Sequence, residues 1–364
     1  MQHYVIGSKE DLLNHFGSSK KLEICDLQQM KDLLLMNVSP EVWEDAQNRN
    51  LISFSKEFIQ QTQEFTFNNG GIEYFYLVSF LTNLKQLYLI DNNIEDISAL
   101  QHLPQLTHLN LQYNKLTSYT LALPNLVELS LDNNKLQDIS GLQHSSKLQS
   151  LILSKTETVE LFTISQLINL KSLNLSNNNI QNIRPLKFCT QLIYLNISAT
   201  SVSDIWSLQF TKNLKALYMD NTKVVDLHPL QQLYKLVYIC ADNTCIIDVS
   251  TLSNLTQLKI LELSCNKITN VETIEHHPNF AKYHLSDQQV PTTDELKFYN
   301  KILSVHSFRK QITKLIQTEN KVSKFREQLT HQKEQFKQKI NEQILIMNKK
   351  IEIYLFSQNS YADQ

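Results

Sequence analysis

The stretch Leu170–Gln191, LKSLNLSNNNIQNIRPLKFCTQ, runs directly into Leu192–Asn213, LIYLNISATSVSDIWSLQFTKN, and the two superimpose with a period of 22 residues. Working outward from this pair, turns in the same phase begin at Leu214, Leu236 and Leu258 downstream and at Leu148, Leu126, Leu106 and Leu84 upstream, the unit at Leu106 being two residues short. A copy from Thr62 replaces the leucines by Phe65 and Phe67, and Phe280, Tyr283 and Leu285 begin a turn that stops at Pro291. The count is ten repeats with atypical copies at the edges, as capping units require, and a fixed period of this length decides the fold before local propensity is consulted.

One unit explains its own spacing. Leu173 and Leu175, two residues apart, point the same way from a short strand, and Asn178 stands where the chain must turn and leave backbone groups unpaired. Asn92, Asn114, Asn134, Asn178 and Asn266 hold this column, with Thr156, Thr200, Thr222 and Thr244 as hydroxyl substitutes that do part of the same work. Ile180, Ile183, Leu186 and Cys189 then recur at threes, predicting a short helical or 3₁₀ return. Stacked at about 4.8 Å per strand, ten units give a concave face roughly 45 Å long.

These residues resemble the leucine-rich-repeat family, in its 22-residue class with the pattern LxxLxLxxNxIxxIxxLxxLxx. The class includes the leucine-rich regulatory subunit of type 1 protein phosphatase, ciliary and cytoskeletal adaptors, and bacterial internalins. The resemblance implies an α/β solenoid, a right-handed horseshoe with a parallel concave β-sheet, whose inner curve binds another protein. It also implies a scaffold or adaptor in place of an enzyme, with regulation of a type 1 phosphatase or a cytoskeletal or ciliary role as alternatives.

The ends leave the period. Residues 1–61 read as an N-terminal cap with a degenerate repeat, or a small separate domain; Met30, Leu33 and Leu35 resemble a decayed strand and Pro40 a helix start. Residues 62–291 are the solenoid. Neither proline nor glycine follows Pro291, and Thr292 with Glu295 matches a capping box, so residues 292–364 read as a long helix or helical hairpin. Ile312, Leu315, Val322, Leu329, Phe336, Ile340 and Met347 share a heptad frame, but Glu319, Arg326, Lys333, Gln343 and Lys350 share the seam, leaving self-association as a coiled coil and docking of the helix equally open. This tail carries 13 Lys/Arg against 8 Asp/Glu, whereas the whole chain has a net charge of −2, so the remaining body is acidic.

In a parallel solenoid the residues between the buried strand leucines face the concave side. Tyr194, Tyr218 and Tyr238 come there from three successive turns, beside Asp220, Asp242 and Glu262. Tyrosines on a rigid surface give large contact area at low entropy, and an acidic rim selects a basic protein partner. The plainer alternative is a wide strand face in a chain with 14 tyrosines. Tyr88, His108, Tyr113, Glu128 and Asp132 form a second candidate patch.

Other classes lack their signals. Five glycines, with only Gly70 and Gly71 adjacent, cannot build a phosphate-cradling loop. Cys240 and Cys245 have a metal-like gap but no second pair, and no metal or cofactor is expected. The concave columns carry few Lys or Arg, against nucleic-acid binding. The odd set Cys25, Cys189, Cys240, Cys245 and Cys265 suits reduced thiols. The start MQHYVIGSKEDLLNHF reads as no signal peptide, and no apolar stretch is long enough to span a bilayer. A cytoplasmic, or nuclear, location is the expectation.

Overall fold

A computed structural model describes residues 22–24, 26–35, 40–41, 44, 52–275, 277, 282–286 and 288. The helix expected over residues 292–364, with its heptad positions, therefore falls outside the described residues.

The strands of the repeat are β3 (Glu64–Thr66), β4 (Gln86–Tyr88), β5 (His108–Asn110), β6 (Glu128–Ser130), β7 (Ser150–Ile152), β8 (Ser172–Asn174), β9 (Tyr194–Asn196), β10 (Ala216–Tyr218), β11 (Tyr238–Cys240), β12 (Ile260–Glu262) and β13 (Lys282–His284). They pair in sequence order as one open 11-stranded sheet, and neighbours are parallel and in register, Leu173 opposite Leu195 and Leu217 opposite Ile239. The turn begun at Phe280 adds the eleventh strand to the ten counted repeats. Returns after most strands are 3₁₀ turns, such as Arg184–Phe188 and Trp206–Phe210. Asp or Asn two residues ahead accepts from the first backbone N–H of these turns, as Asp204 does from Trp206 at 2.9 Å and Asp138 from Ser140 at 2.7 Å.

The rungs bury their aliphatic sets: Leu170, Leu173, Leu175, Ile180 and Leu186 of one rung are all 0% exposed. At about 1.5–3 kcal/mol for each such side chain, the stack is held by its interior. The short unit at Leu106 has no 3₁₀ turn in its return; Ser118 bridges to Asp138 and buried Tyr119 fills the core. Its backbone comes so close that a Cβ on Gly141 would lie 2.6 Å from the Leu121 carbonyl oxygen, which fixes glycine there.

Ahead of the ladder, β1 (Leu22–Ile24) and β2 (Ile52–Phe54) form a separate parallel pair. Between them, α1 (Leu27–Leu35) corrects the decayed-strand reading: Met30, Leu33 and Leu34 are buried at helical spacing while Leu35 is exposed. The short α2 (Lys56–Gln61) is capped by the Ser55 hydroxyl, which accepts from Phe58 N at 3.1 Å. Phe54 stacks on Phe80 of the first ladder return with ring centroids 4.7 Å apart, and the buried core is continuous from Ile24 to Ile274.

The turn column works between rungs. Asn178 Nδ2 donates to Leu175 O of its own rung at 2.9 Å and to Leu153 O of the preceding rung at 2.6 Å, while its Oδ1 accepts from Thr156 N at 3.0 Å. Thr200 and Thr222 reach only their own rung, Thr200 Oγ1 donating to Ile197 O at 2.6 Å and Thr222 Oγ1 to Met219 O at 2.7 Å, whereas Thr156 Oγ1 and Thr244 Oγ1 also lie against the side-chain oxygens of Asn178 and Asn266 in the rung that follows. The residue just before this column is left-handed in rung after rung, including Tyr113 (φ 55), Lys155 (φ 51), Asn177 (φ 57) and Ala199 (φ 54). Asparagine tolerates that conformation; a branched or bulky residue does so at a cost.

Two stability outcomes follow from this turn. Asn178→Ala is expected to destabilise by about 2–4 kcal/mol, since it strands buried groups in two rungs, and Asn178→Thr by less. Ala199→Gly should stabilise by about 0.5–1 kcal/mol by relieving the left-handed strain. Chemical unfolding of the full chain checks both.

Candidate functional site: the concave tyrosine and carboxylate patch

The strands place side chains alternately, so from β3 to β12 the middle residue of each triplet is buried and its flanks lie toward the concave face. Register does the rest. Ala216 pairs with Tyr194 and with Tyr238, which brings three tyrosines from adjacent rungs together. The Tyr194 and Tyr218 rings have centroids 5.3 Å apart at 45°, and Tyr218 and Tyr238 lie 4.7 Å apart at 34°.

The acidic residues join that ladder through hydrogen bonds. Tyr238 Oη donates to Glu262 Oε2 at 3.0 Å. Cys240 Sγ lies 2.9 Å from the same oxygen and 2.7 Å from Asp220 Oδ1. Asp220 is tied further to its neighbours, accepting from Asp242 N at 3.0 Å and from Ser198 Oγ at 3.1 Å. Asp242 Oδ1 accepts from Ser264 N at 2.6 Å. All six residues of the first candidate patch therefore belong to one contiguous set.

Sequence reasoning missed Cys240 and Ser198 as members. Cys240 occupies the strand position between two concave carboxylates and is 8% exposed. Burial, then its hydrogen bonds to Asp220 and Glu262, push its thiol pKa up, so it stays protonated and is a donor shared between two carboxylates. Burial likewise raises Tyr238, reinforced by Cys240 and Glu262, and Tyr218, reinforced by Tyr194 and the acidic cluster. Asp242 is raised first by burial and then by Asp220 and Glu262, against the lowering effect of Ser264 N–H and His284.

The donor atoms of Asp220, Cys240 and Asp242 lie within 4.8 Å of one another, the residues that could hold a metal ion among those described. Cys245, the other member of the metal-like gap, is not in this group. The raised thiol favours the hydrogen-bonded arrangement over the thiolate a metal ligand requires.

The second candidate patch is less coherent. His108 Nε2 approaches Glu128 Oε1 at 3.9 Å, and Tyr88 Oη donates to Gln86 Oε1 at 3.0 Å. Asp132 is engaged locally, accepting from Ser130 Oγ at 2.7 Å. Tyr113 occupies the left-handed turn position and is 50% exposed, with no ring contact to Tyr88 among the described residues. Sequence reasoning also passed over aromatics exposed on the return side, with Phe162, Phe188 and Tyr234 half-exposed or more.

A family model of two leucine-rich repeats matches residues 82–123 and 168–210, on the same leucines that fill the rungs. The chain is built of leucine-rich repeats. Among solved structures, the leucine-rich-repeat chain is similar to the internalin InlF of Listeria monocytogenes at 27% identity and a TM-score of 0.57, over 65% of this chain and 77% of that one. It is also similar in fold to a leucine-rich-repeat protein of Leptospira interrogans, with a TM-score of 0.60 and 24% identity over 73% of this chain and 70% of that one. No curated protein matches it significantly by sequence. Leucine-rich-repeat proteins generally mediate protein–protein interactions. No helix among the described residues is long and apolar enough to cross a membrane.

Because the folded state holds the Asp242 carboxyl above its ordinary value, the protonated form is favoured by folding, and the associated stability is lost as pH rises through that raised pKa. Asp242→Asn keeps the acceptor for Ser264 N. The variant should therefore be more stable than the natural chain near neutral pH, with the advantage vanishing as pH falls below the carboxylate range. Paired denaturant melts across that range test the sign.

Proposed function

We propose that the chain is a non-enzymatic protein-binding scaffold, and that its partner sits on the concave face over Tyr194, Tyr218 and Tyr238 with Asp220, Asp242 and Glu262 as an acidic margin. The observation that carries this reading is the ring contact along three rungs, 5.3 and 4.7 Å between centroids, continuous with the carboxylates through Tyr238 and Glu262. Aromatic area fixed by a rigid sheet loses little side-chain entropy on binding, which is where interface energy concentrates. The carboxylates make a basic partner the favoured one, since like charges across an interface repel.

The phosphatase-regulator alternative uses the same face. Co-purification of a type 1 phosphatase with the full chain, lost on replacing the tyrosines, would favour it over an adaptor of another pathway.

Partner capture by the full chain is expected to fall at least about tenfold in the Tyr218→Ala/Tyr238→Ala double variant, as removal of two central aromatic anchors implies. A His108→Ala/Glu128→Ala variant in the second patch should capture normally. Undiminished capture by the tyrosine variant, with its fold intact by circular dichroism, would remove this assignment.

A further inference from the structure

The tyrosine ladder is closed to insertion. A flat cation held between two rings needs about 3.5–4 Å on each side, or roughly 7–8 Å from ring to ring. The centroids here are 5.3 and 4.7 Å apart, so the three rings touch one another and leave no slot between them. A trimethylated ammonium, which favours enclosure, does not fit this geometry.

The negative end begins where the rings stop. Tyr238 is one hydrogen bond from Glu262, Glu262 and Asp220 both reach Cys240, and Asp220 accepts from the backbone of Asp242. The concave positions from Tyr194 to Ser264 hold three carboxylates and no lysine or arginine. Among the described residues, no lysine or arginine forms an ion pair with Asp220 or Asp242. The surface thus joins an aromatic face to fixed carboxylates lacking a lysine or arginine counter-charge at those two positions.

Two cationic side chains could answer it, and their chemistry differs. The lysine ammonium is compact, strongly hydrated and without a flat face. The arginine guanidinium is planar, stacks on aromatic rings and forks onto carboxylate oxygens. We infer that the partner lays an arginine side chain over this patch, its guanidinium resting against Tyr218 and Tyr238 and its N–H groups directed at Asp242 and Glu262. This rests on the concave patch being the partner site and adds what that site reads. Arginine is a basic group that both halves of the patch engage at once.

A random peptide display library, selected in parallel on the full natural chain, on Tyr218→Ala/Tyr238→Ala and on Asp242→Asn/Glu262→Gln, tests it. The second variant is nearly isosteric, so it reports on charge even if the alanine variant folds poorly. Peptides retained by the natural chain and lost from the variants should carry arginine. Replacing that arginine by citrulline, which keeps the planar shape but removes the charge, should weaken binding at least about tenfold, with lysine giving an intermediate loss. Patch-dependent peptides that lack arginine, or that tolerate citrulline, overturn the inference while leaving the patch as a protein-binding site. If no selected peptide depends on either variant, the patch assignment and the arginine reading both fall.

Discussion

A buried turn that recurs every rung must have its backbone groups satisfied, and the side-chain amide of the turn column does this for two rungs at a time. Asn114, Asn134, Asn178 and Asn266 each donate to a carbonyl of their own rung and one of the rung before. An unpaired buried donor or acceptor costs as much as several ordinary hydrogen bonds contribute, so this bridging sets the vertical register on which the leucine core and the concave columns depend. Where threonine replaces asparagine the bond to the preceding rung is absent from the hydroxyl, and the core aliphatics, all fully buried there, carry more of the cohesion.

That register is also what makes the concave patch. Tyr194, Tyr218 and Tyr238 are 24 and 20 positions apart in the chain, yet strand pairing sets their rings in contact. The same stacking forces Asp220, Asp242 and Glu262 into one neighbourhood, where partial burial, and then repulsion from the other two, disfavour ionisation of Asp242. Negative charge kept close in a folded surface is stabilised by whatever cation arrives, so a cost in stability and a gain in recognition share one cause.

Much of this was legible from the repeat. The leucine spacing identified the strands and the return, the asparagine column identified the turn, and alternation identified which residues look outward. The Asp and Asn residues at 138, 182, 204, 226 and 248 that cap the 3₁₀ returns recur just as regularly, and their spacing ahead of each buried leucine was a readable signal that went unread. Residues 27–35 form a helix and not a strand: Met30, Leu33 and Leu34 together have the helical spacing that the burial follows, whereas Met30, Leu33 and Leu35 alone do not show it.

The fold class and the identity of the outward columns follow from the repeat alone, because a period of 22 with two alternating leucines admits one way of burying them. Three features emerge only in three dimensions: the left-handed residue precedes the asparagine, the tyrosines touch without leaving a slot, and Cys240 donates into a pair of carboxylates. These depend on distances across rungs and on side-chain rotamers. A one-dimensional pattern fixes which face a residue occupies but not how far its atoms stand from those of the next rung.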